Sequence, residues 1–142
     1  MKQMKHFLIL FALMIGLTAC AADAQKKEET PKDGVEVLYF HGKQRCATCQ
    51  AIEKETKALI DSQFADAVKS GKVRFRVVDI TKAENEALAD KYEIIWSSLV
   101  LVKYDNGKET SENLTQFAFA NARSNPAQFK KELAAKINQM LK

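Results

Sequence analysis

Apolar and polar positions along the chain fall into blocks that predict alternating strands and helices. Residues 35–40 (VEVLYF) are almost continuously apolar and rich in β-branched and aromatic types, which is typical of a central strand covered on both faces. After a loop at residues 41–45, apolar residues recur at helical spacing from Cys46 to Val68, and Gly71 follows as a stop. A cysteine pair therefore lies at the N-terminus of the first predicted helix.

The next block predicts a second strand and a second helix. Residues 73–80 (VRFRVVDI) alternate and then become apolar, as a strand does. Thr81 and Glu84 have the spacing of a capping box, which predicts a helix that starts there and runs to about residue 91. The order strand, helix, strand, helix is the start of a βαβ unit, whose two strands lie parallel.

The C-terminal part predicts a hairpin and a last helix. Residues 99–104 (LVLVKY) form a third strand, the Asn106-Gly107 pair favours a tight turn, and residues 109–114 return as a shorter edge strand. Asn125 before a proline predicts the start of a helix that ends near residue 141. The chain is therefore expected to be an α/β domain with a four-stranded mixed sheet (βαβαββα) and helices on both faces.

The first 19 residues have the pattern of a secretory signal peptide. Lys2 and Lys5 precede an apolar stretch at residues 7–17, and small residues follow it. A membrane-spanning helix needs about 20 apolar residues, so cleavage is favoured over an uncleaved anchor. The remaining length fits one domain.

The end of this stretch resembles a bacterial lipobox. The sequence Leu17-Thr18-Ala19-Cys20 matches its pattern, which implies that Cys20 is acylated and becomes the mature N-terminus; the alternative is a stray thiol in a generic signal peptide. Residues 20–34 are small and polar, contain Pro31, and are interpreted as a lipidated flexible stalk before a domain at residues 35–142. We therefore expect a lipid-anchored protein of the bacterial cell envelope that faces the periplasm, in a membrane the sequence does not specify.

Charge argues against a nucleic-acid partner. The chain carries 22 Lys and Arg, 18 Asp and Glu, and a formal net charge of +4. Removal of residues 1–19 takes away Lys2 and Lys5, which leaves a balance of only +2. Phosphate binding needs clustered cationic side chains, and no such cluster is present in the sequence.

The Cys46-Ala47-Thr48-Cys49 motif carries the candidate chemistry. If Cys20 bears lipid, Cys46 and Cys49 remain as a pair, and an exported protein can keep a disulfide. At a helix N-terminus, free backbone N–H groups stabilise a thiolate, so Cys46 is the expected nucleophile and Cys49 the resolving thiol. Arg45 adds positive charge, so we expect the pKa of Cys46 to lie below the free-thiol value of about 8.5; the alternative for Arg45 is a solvated loop cation.

These segments together resemble a known fold family. The strand VLYF, the loop HGKQ, the RCATC motif, the hairpin LVLVKYDNGKE and an amphipathic last helix resemble a minimal thioredoxin-like domain without the extra N-terminal strand and helix. More narrowly, HGKQRCATC in a lipoprotein-type precursor resembles a bacterial envelope family labelled nitrophenyl compound nitroreductase subunit. The resemblance implies a thioredoxin-like fold and dithiol–disulfide exchange with a protein partner.

The sequence departs from the thioredoxin pattern before the third strand. That pattern has a cis-proline facing the disulfide, whereas this chain has Trp96-Ser97-Ser98, and its two prolines, Pro31 and Pro126, lie elsewhere. The backbone platform for a substrate must then be rebuilt from Ser97 and Ser98, or be missing. Trp96 would either line a substrate groove or be a partly buried core aromatic.

Other residues leave alternatives open. His41 either relays protons to the thiols or packs in its loop. Cys46, Cys49 and His41 suit a soft ion such as Cu(I), so copper binding is an alternative to an exchange protein without cofactor. A third hypothesis is a static disulfide in a non-catalytic accessory subunit of an envelope enzyme. Glu36 is the only carboxylate of the first strand, and alternation does not clearly place it under the cysteines.

Overall fold

The computed structural model describes residues 32–142, so the predicted signal peptide, Cys20 and most of the stalk lie outside the described residues. The strands are β1 (Gly34–His41), β2 (Val73–Asp79), β3 (Ser98–Asp105) and β4 (Lys108–Asn113). They form one sheet in the order β2-β1-β3-β4, in which β1 pairs parallel with β2 and the other pairs are antiparallel. The predicted four-stranded mixed sheet is confirmed.

Helices cover both faces of this sheet, as expected. They are α1 (Ala47–Gln63), α2 (Ala65–Lys69), α3 (Glu86–Lys91), α4 (Thr115–Asn121) and α5 (Pro126–Met140), with a short 3₁₀ turn before α3. None of the helices in the described part of the chain is long and apolar enough to cross a membrane.

The central strand β1 is buried on both sides, which its continuous apolar sequence predicted. Val35, Val37 and Tyr39 face a core shared with α1, α4 and α5. Leu38 and Phe40 alternate to the other face and pack in a second core with α3. Burial on both faces fixes the position of the residues that follow β1, and these carry the cysteines.

The first predicted helix is interrupted. The chain leaves helical geometry at Phe64 (φ −118°, ψ 14°), so residues 47–69 form α1 and α2 instead of one helix. Phe64 is buried in the main core, whereas Val68 is 43% exposed. The prediction of one helix from Cys46 to Val68 was therefore wrong, because the chain leaves helical geometry at Phe64 and Val68 belongs to a second, short helix.

Two other local expectations also differ from the structure. The Thr81 hydroxyl and backbone N–H both donate to Asp79 Oδ1, at 2.7 and 3.0 Å, and Lys82 precedes the 3₁₀ turn, so the capping box does not form. Helix α4 was not predicted. Its Phe117 stacks on Phe129 at 5.5 Å between ring centroids and packs against the main core.

The hairpin follows the prediction. Asn106 and Gly107 both have positive φ, 50° and 78°, as the tight turn between β3 and β4 requires. Strand β4 is polar and almost entirely exposed, which fits an edge strand.

Candidate redox site

The two cysteines of the motif form a disulfide at the start of α1. Cys46 is the N-cap residue, and its Cα lies 5.0 Å from that of Cys49. Cys46 is exposed, whereas Cys49 is only 6% exposed. The exposed member of the pair is therefore Cys46, and Cys49 is the buried one.

Backbone donors at the helix start reach the exposed sulfur. The N–H of Cys49 donates to Cys46 Sγ at 3.0 Å, so the sulfur takes the place that a serine or aspartate oxygen occupies in an ordinary N-cap. Residues 47–50 carry no acidic side chain that would oppose a negative sulfur. In the reduced protein the same N–H groups and the helix dipole stabilise a thiolate at this position.

Arg45 does not stand alone beside the cysteines. Its guanidinium pairs with the carboxylate of Glu53 in α1 and lies 5.9 Å from the centroid of the Tyr39 ring. Arg45 Nε is buried and has no hydrogen-bond partner among residues 32–142. Because Glu53 offsets the positive charge, Arg45 favours a thiolate less than an unpaired cation would. The sequence analysis did not identify Glu53, because the contact forms only when the loop before α1 folds Arg45 back along that helix.

Tyr39 is a second residue that the sequence analysis did not identify. Its side chain is fully buried, and its hydroxyl donates to the Cys49 backbone carbonyl at 2.7 Å. Burial raises the pKa of Tyr39, while the charge of Arg45 and a hydrogen bond with Ser97 act in the opposite direction. The phenol therefore remains a protonated donor at neutral pH and ties β1 to the cysteine motif.

Ser97 forms a hydrogen bond with this tyrosine just before β3, and Ser98 is the first residue of that strand. Ser98 pairs with Phe40 in the sheet, and its hydroxyl donates to the Trp96 carbonyl at 3.1 Å. Both serines are buried, at 8% and 2% exposure, and no peptide bond within residues 32–142 is cis. The Trp96-Ser97-Ser98 segment therefore has ordinary trans geometry.

Trp96 projects from this segment. It is 60% exposed and stacks on Phe119 of α4, with 5.6 Å between ring centroids, and the neighbouring Ile95 is 87% exposed. Trp96 is thus a surface residue and not a core aromatic. The exposed apolar surface lies at the same end of the sheet as the cysteines, because β1 and β3 are antiparallel and the start of β3 pairs with the end of β1.

His41 and Glu36 make different contacts on the two sides of β1. His41 Nδ1 lies 3.0 Å from the Gly42 carbonyl, and its ring stacks on Tyr39 at 6.2 Å. Glu36 faces the opposite side of the sheet, where it accepts from Arg76 at 3.2 Å and from Tyr104 at 3.4 Å. Within residues 32–142, no three His, Cys, Asp or Glu side chains cluster closely enough to hold a metal ion. The copper alternative was not tested and stays a prediction.

Comparisons with known proteins identify the fold. No protein-family model and no curated protein matches the chain. The chain is similar to a thioredoxin of Fasciola hepatica, with 25% identity, a TM-score of 0.50, and coverage of 84% of this chain and 93% of that chain. It is also similar to the Trx4 domain of ERdj5, with 21% identity, a TM-score of 0.52, and coverage of 79% and 83%.

The fold is thioredoxin-like, in a minimal form with a Cys46–Cys49 disulfide at the start of the first helix. The predicted fold class is thereby confirmed. The lipoprotein character and the narrower resemblance to a nitroreductase subunit stay predictions.

Proposed function

We propose that the chain is a thiol–disulfide oxidoreductase or redox partner that works by exchange at Cys46 and Cys49. The observation that carries this proposal is an exposed sulfur at a helix N-terminus, bonded to a second sulfur that is almost buried. A disulfide with one accessible sulfur is open to attack by a thiolate, whereas a structural disulfide is usually sealed. The similarity to a thioredoxin also supports a function in thiol–disulfide exchange.

The exchange proceeds in two steps. In the reduced protein, the Cys46 thiolate attacks one sulfur of a partner disulfide, forms a mixed disulfide and releases the other partner sulfur as a thiolate. The Cys49 thiolate then attacks Cys46, which forms the intramolecular disulfide and releases the second partner thiol. The partner gains two electrons and two protons, and the protein loses them. The reverse sequence oxidises a partner dithiol.

Four neighbouring residues position this chemistry. Tyr39 holds the Cys49 carbonyl, so the resolving thiol stays within one helical turn of Cys46. Ser97 lies against Tyr39 and, with Ser98, supplies the backbone at the start of β3 that a substrate would meet. Arg45 contributes positive charge that its ion pair with Glu53 moderates.

The partner is a protein. Ile95 and Trp96 are large apolar side chains at 87% and 60% exposure, and they lie at the end of the sheet that carries Cys46. Scattered exposed apolar residues are common, but an aromatic stack of Trp96 on Phe119 offers a rigid contact area of the kind that protein interfaces favour. A partner segment that contains a cysteine would cover this surface while its sulfur meets Cys46.

The proposed setting is the bacterial cell envelope. The lipobox-like sequence that ends at Cys20 supports a lipid anchor, and several acyl chains on one residue give stable membrane attachment. The domain would then reach its partners from the membrane surface, facing the periplasm. Intact-mass and peptide analysis of the protein from a bacterial membrane fraction tests this: acylated Cys20 at the N-terminus is expected, and an unmodified Cys20 thiol would contradict it.

A trapping experiment tests the exchange. In the Cys49→Ser variant the mixed disulfide cannot be resolved, so incubation of the reduced variant with a disulfide-bonded protein should accumulate a covalent adduct at Cys46. The Cys46→Ser variant is the matched control and should form little adduct, because Cys49 is buried. Equal adduct formation by both variants would contradict the assignment of the nucleophile. Copper analysis of the reduced parent and of Cys46→Ser distinguishes the metal-binding alternative.

A further inference from the structure

Strand β2 leaves one edge of the sheet unpaired. Val35 donates to the Lys72 carbonyl at 2.8 Å and Ile80 donates to the His41 carbonyl at 2.9 Å, so the even-numbered residues of β2 bond to β1. Alternation along a strand then directs the N–H and C=O groups of Phe75, Val77 and the other odd-numbered residues away from the sheet. No strand within residues 32–142 pairs with them.

The two edges of the sheet differ in character. Strand β4, at the other edge, has the sequence KETSEN and is polar throughout, which discourages pairing with another chain. Strand β2 has neither proline nor bulge, and its Val77 is 42% exposed. Only the β2 edge therefore combines free backbone groups with exposed apolar surface.

A groove of about 600 Å³ runs along this edge between β2 and the helices α1 and α2. Its apolar lining comes from Ile60, Val68, Phe75 and Val77. Its polar lining is balanced in charge, with the two acids Glu53 and Asp61 and the two lysines Lys57 and Lys69. A surface with both signs in equal number can meet an identical surface without net repulsion.

We infer that a second copy of this chain occupies the β2 edge. In this arrangement two β2 strands pair antiparallel about a two-fold axis at Val77, and the two sheets become one. The Val77 residues of the two copies exchange backbone hydrogen bonds, and Phe75 of each copy does the same with Asp79 of the other. Phe75 and Val77 of each copy then extend the apolar groove of the other.

Charge selects this register. With the axis at Val77, Arg76 lies opposite Val78 of the second copy and Arg74 lies opposite Ile80. With the axis two residues earlier, at Phe75, Arg74 would lie directly opposite Arg76 of the second copy, and like charges in that position are destabilising.

The chain's own N-terminal segment is a poorer occupant of the edge. Residues 21–31 (AADAQKKEETP) contain no Val, Ile, Leu, Met or aromatic residue that could cover Val68 and Val77.

The pairing of two β2 strands also leaves both redox sites accessible. Because β1 and β2 are parallel and the axis is two-fold, the two copies of Cys46 lie at opposite ends of the joined sheet.

Mass measurement of the full chain in mild detergent tests the dimer. Light scattering after size exclusion should give twice the chain mass for the parent at micromolar concentrations. Val77→Arg, which places charge on the axis, should give the single-chain mass, and the control Thr110→Arg on β4 should stay dimeric. A monomeric parent, or a Val77→Arg variant that stays dimeric, would overturn the inference.

Cross-linking tests the register without a loss of fold. In an antiparallel pair, the Cα atoms of two opposite residues that exchange backbone hydrogen bonds lie about 5.5 Å apart, which is within the range that a disulfide bridges. Mild oxidation of Val77→Cys should therefore link two chains through position 77, whereas Thr110→Cys should show only the parent's background. Equal yields for the two variants would contradict the two-fold pairing at Val77.

Discussion

Replacement of Tyr39 by phenylalanine tests the link between the central strand and the cysteine motif. The phenylalanine ring keeps the packing of a side chain that is fully buried, and only the hydroxyl is lost. That hydroxyl donates to the Cys49 carbonyl at 2.7 Å, so the variant removes one short buried hydrogen bond.

The expected cost follows from the geometry. A typical intramolecular hydrogen bond contributes about 0.5–1.5 kcal/mol net, and the Cys49 carbonyl also lies in the first turn of α1, where the helix offers it a second donor. We therefore expect Tyr39→Phe to lower the free energy of unfolding by about 1 kcal/mol. In a domain of this size, that corresponds to a decrease in Tm of about 4 °C.

Urea unfolding of the oxidised protein measures this change. The variant Ser97→Ala and the double variant complete a cycle, because Ser97 contacts the same phenol. Groups that share one hydrogen-bond network should be non-additive by about 0.5 kcal/mol or more. An unfolding free energy for Tyr39→Phe within about 0.3 kcal/mol of the parent would refute the argument that this bond holds the motif.

Two more predictions concern charge and backbone. Glu53→Gln removes the ion-pair partner of Arg45, so the pH midpoint for alkylation of Cys46 should fall relative to the parent. The control Glu55→Gln on the same helix should leave this midpoint unchanged, because Glu55 pairs with Lys130. Equal midpoints in all three proteins would refute this prediction. Gly34→Ala should destabilise the domain by more than about 1 kcal/mol, because φ is +134° and a Cβ would lie 2.4 Å from the Lys72 backbone oxygen. The control Gly42→Ala should cost less, because its Cβ would meet nothing within 4 Å. Similar urea midpoints for the two variants would contradict this prediction and show that β1 moves to make room.

The sequence predicted what local pattern determines. The apolar run of β1, the helical spacing after Cys46 and the Asn106-Gly107 turn each depend on neighbours along the chain, and the structure has all three. The same local reasoning placed the cysteines at a helix N-terminus.

The contacts that refine the site depend on the tertiary structure. The Tyr39 hydroxyl and the Cys49 carbonyl are ten positions apart and meet only because β1 passes under the start of α1. In the sequence, Tyr39 looked like one more core aromatic. Glu53 was likewise one of several acidic residues on an amphipathic helix until the loop turned Arg45 toward it.

The missed elements have the same origin. Helix α4 is only seven residues long and is too short to be stable alone. Its aromatic residues Phe117 and Phe119 pack on Phe129 and Trp96, and these tertiary contacts stabilise it. Thr81 had the right spacing for a cap, but its backbone N–H, which Glu84 would bind in a capping box, donates instead to Asp79 two residues away, as does its hydroxyl.

An equilibrium redox titration tests the central claim most directly. The protein is equilibrated with defined ratios of reduced and oxidised glutathione, the thiols are trapped by alkylation, and the mass counts the labels. If Cys46 and Cys49 exchange, the labelled state should differ from the unlabelled state by two alkyl groups at these residues, with one reversible two-electron transition approached from both directions. A pair that stays fully oxidised or fully reduced across the whole range, or that does not return on reversal, would contradict the account.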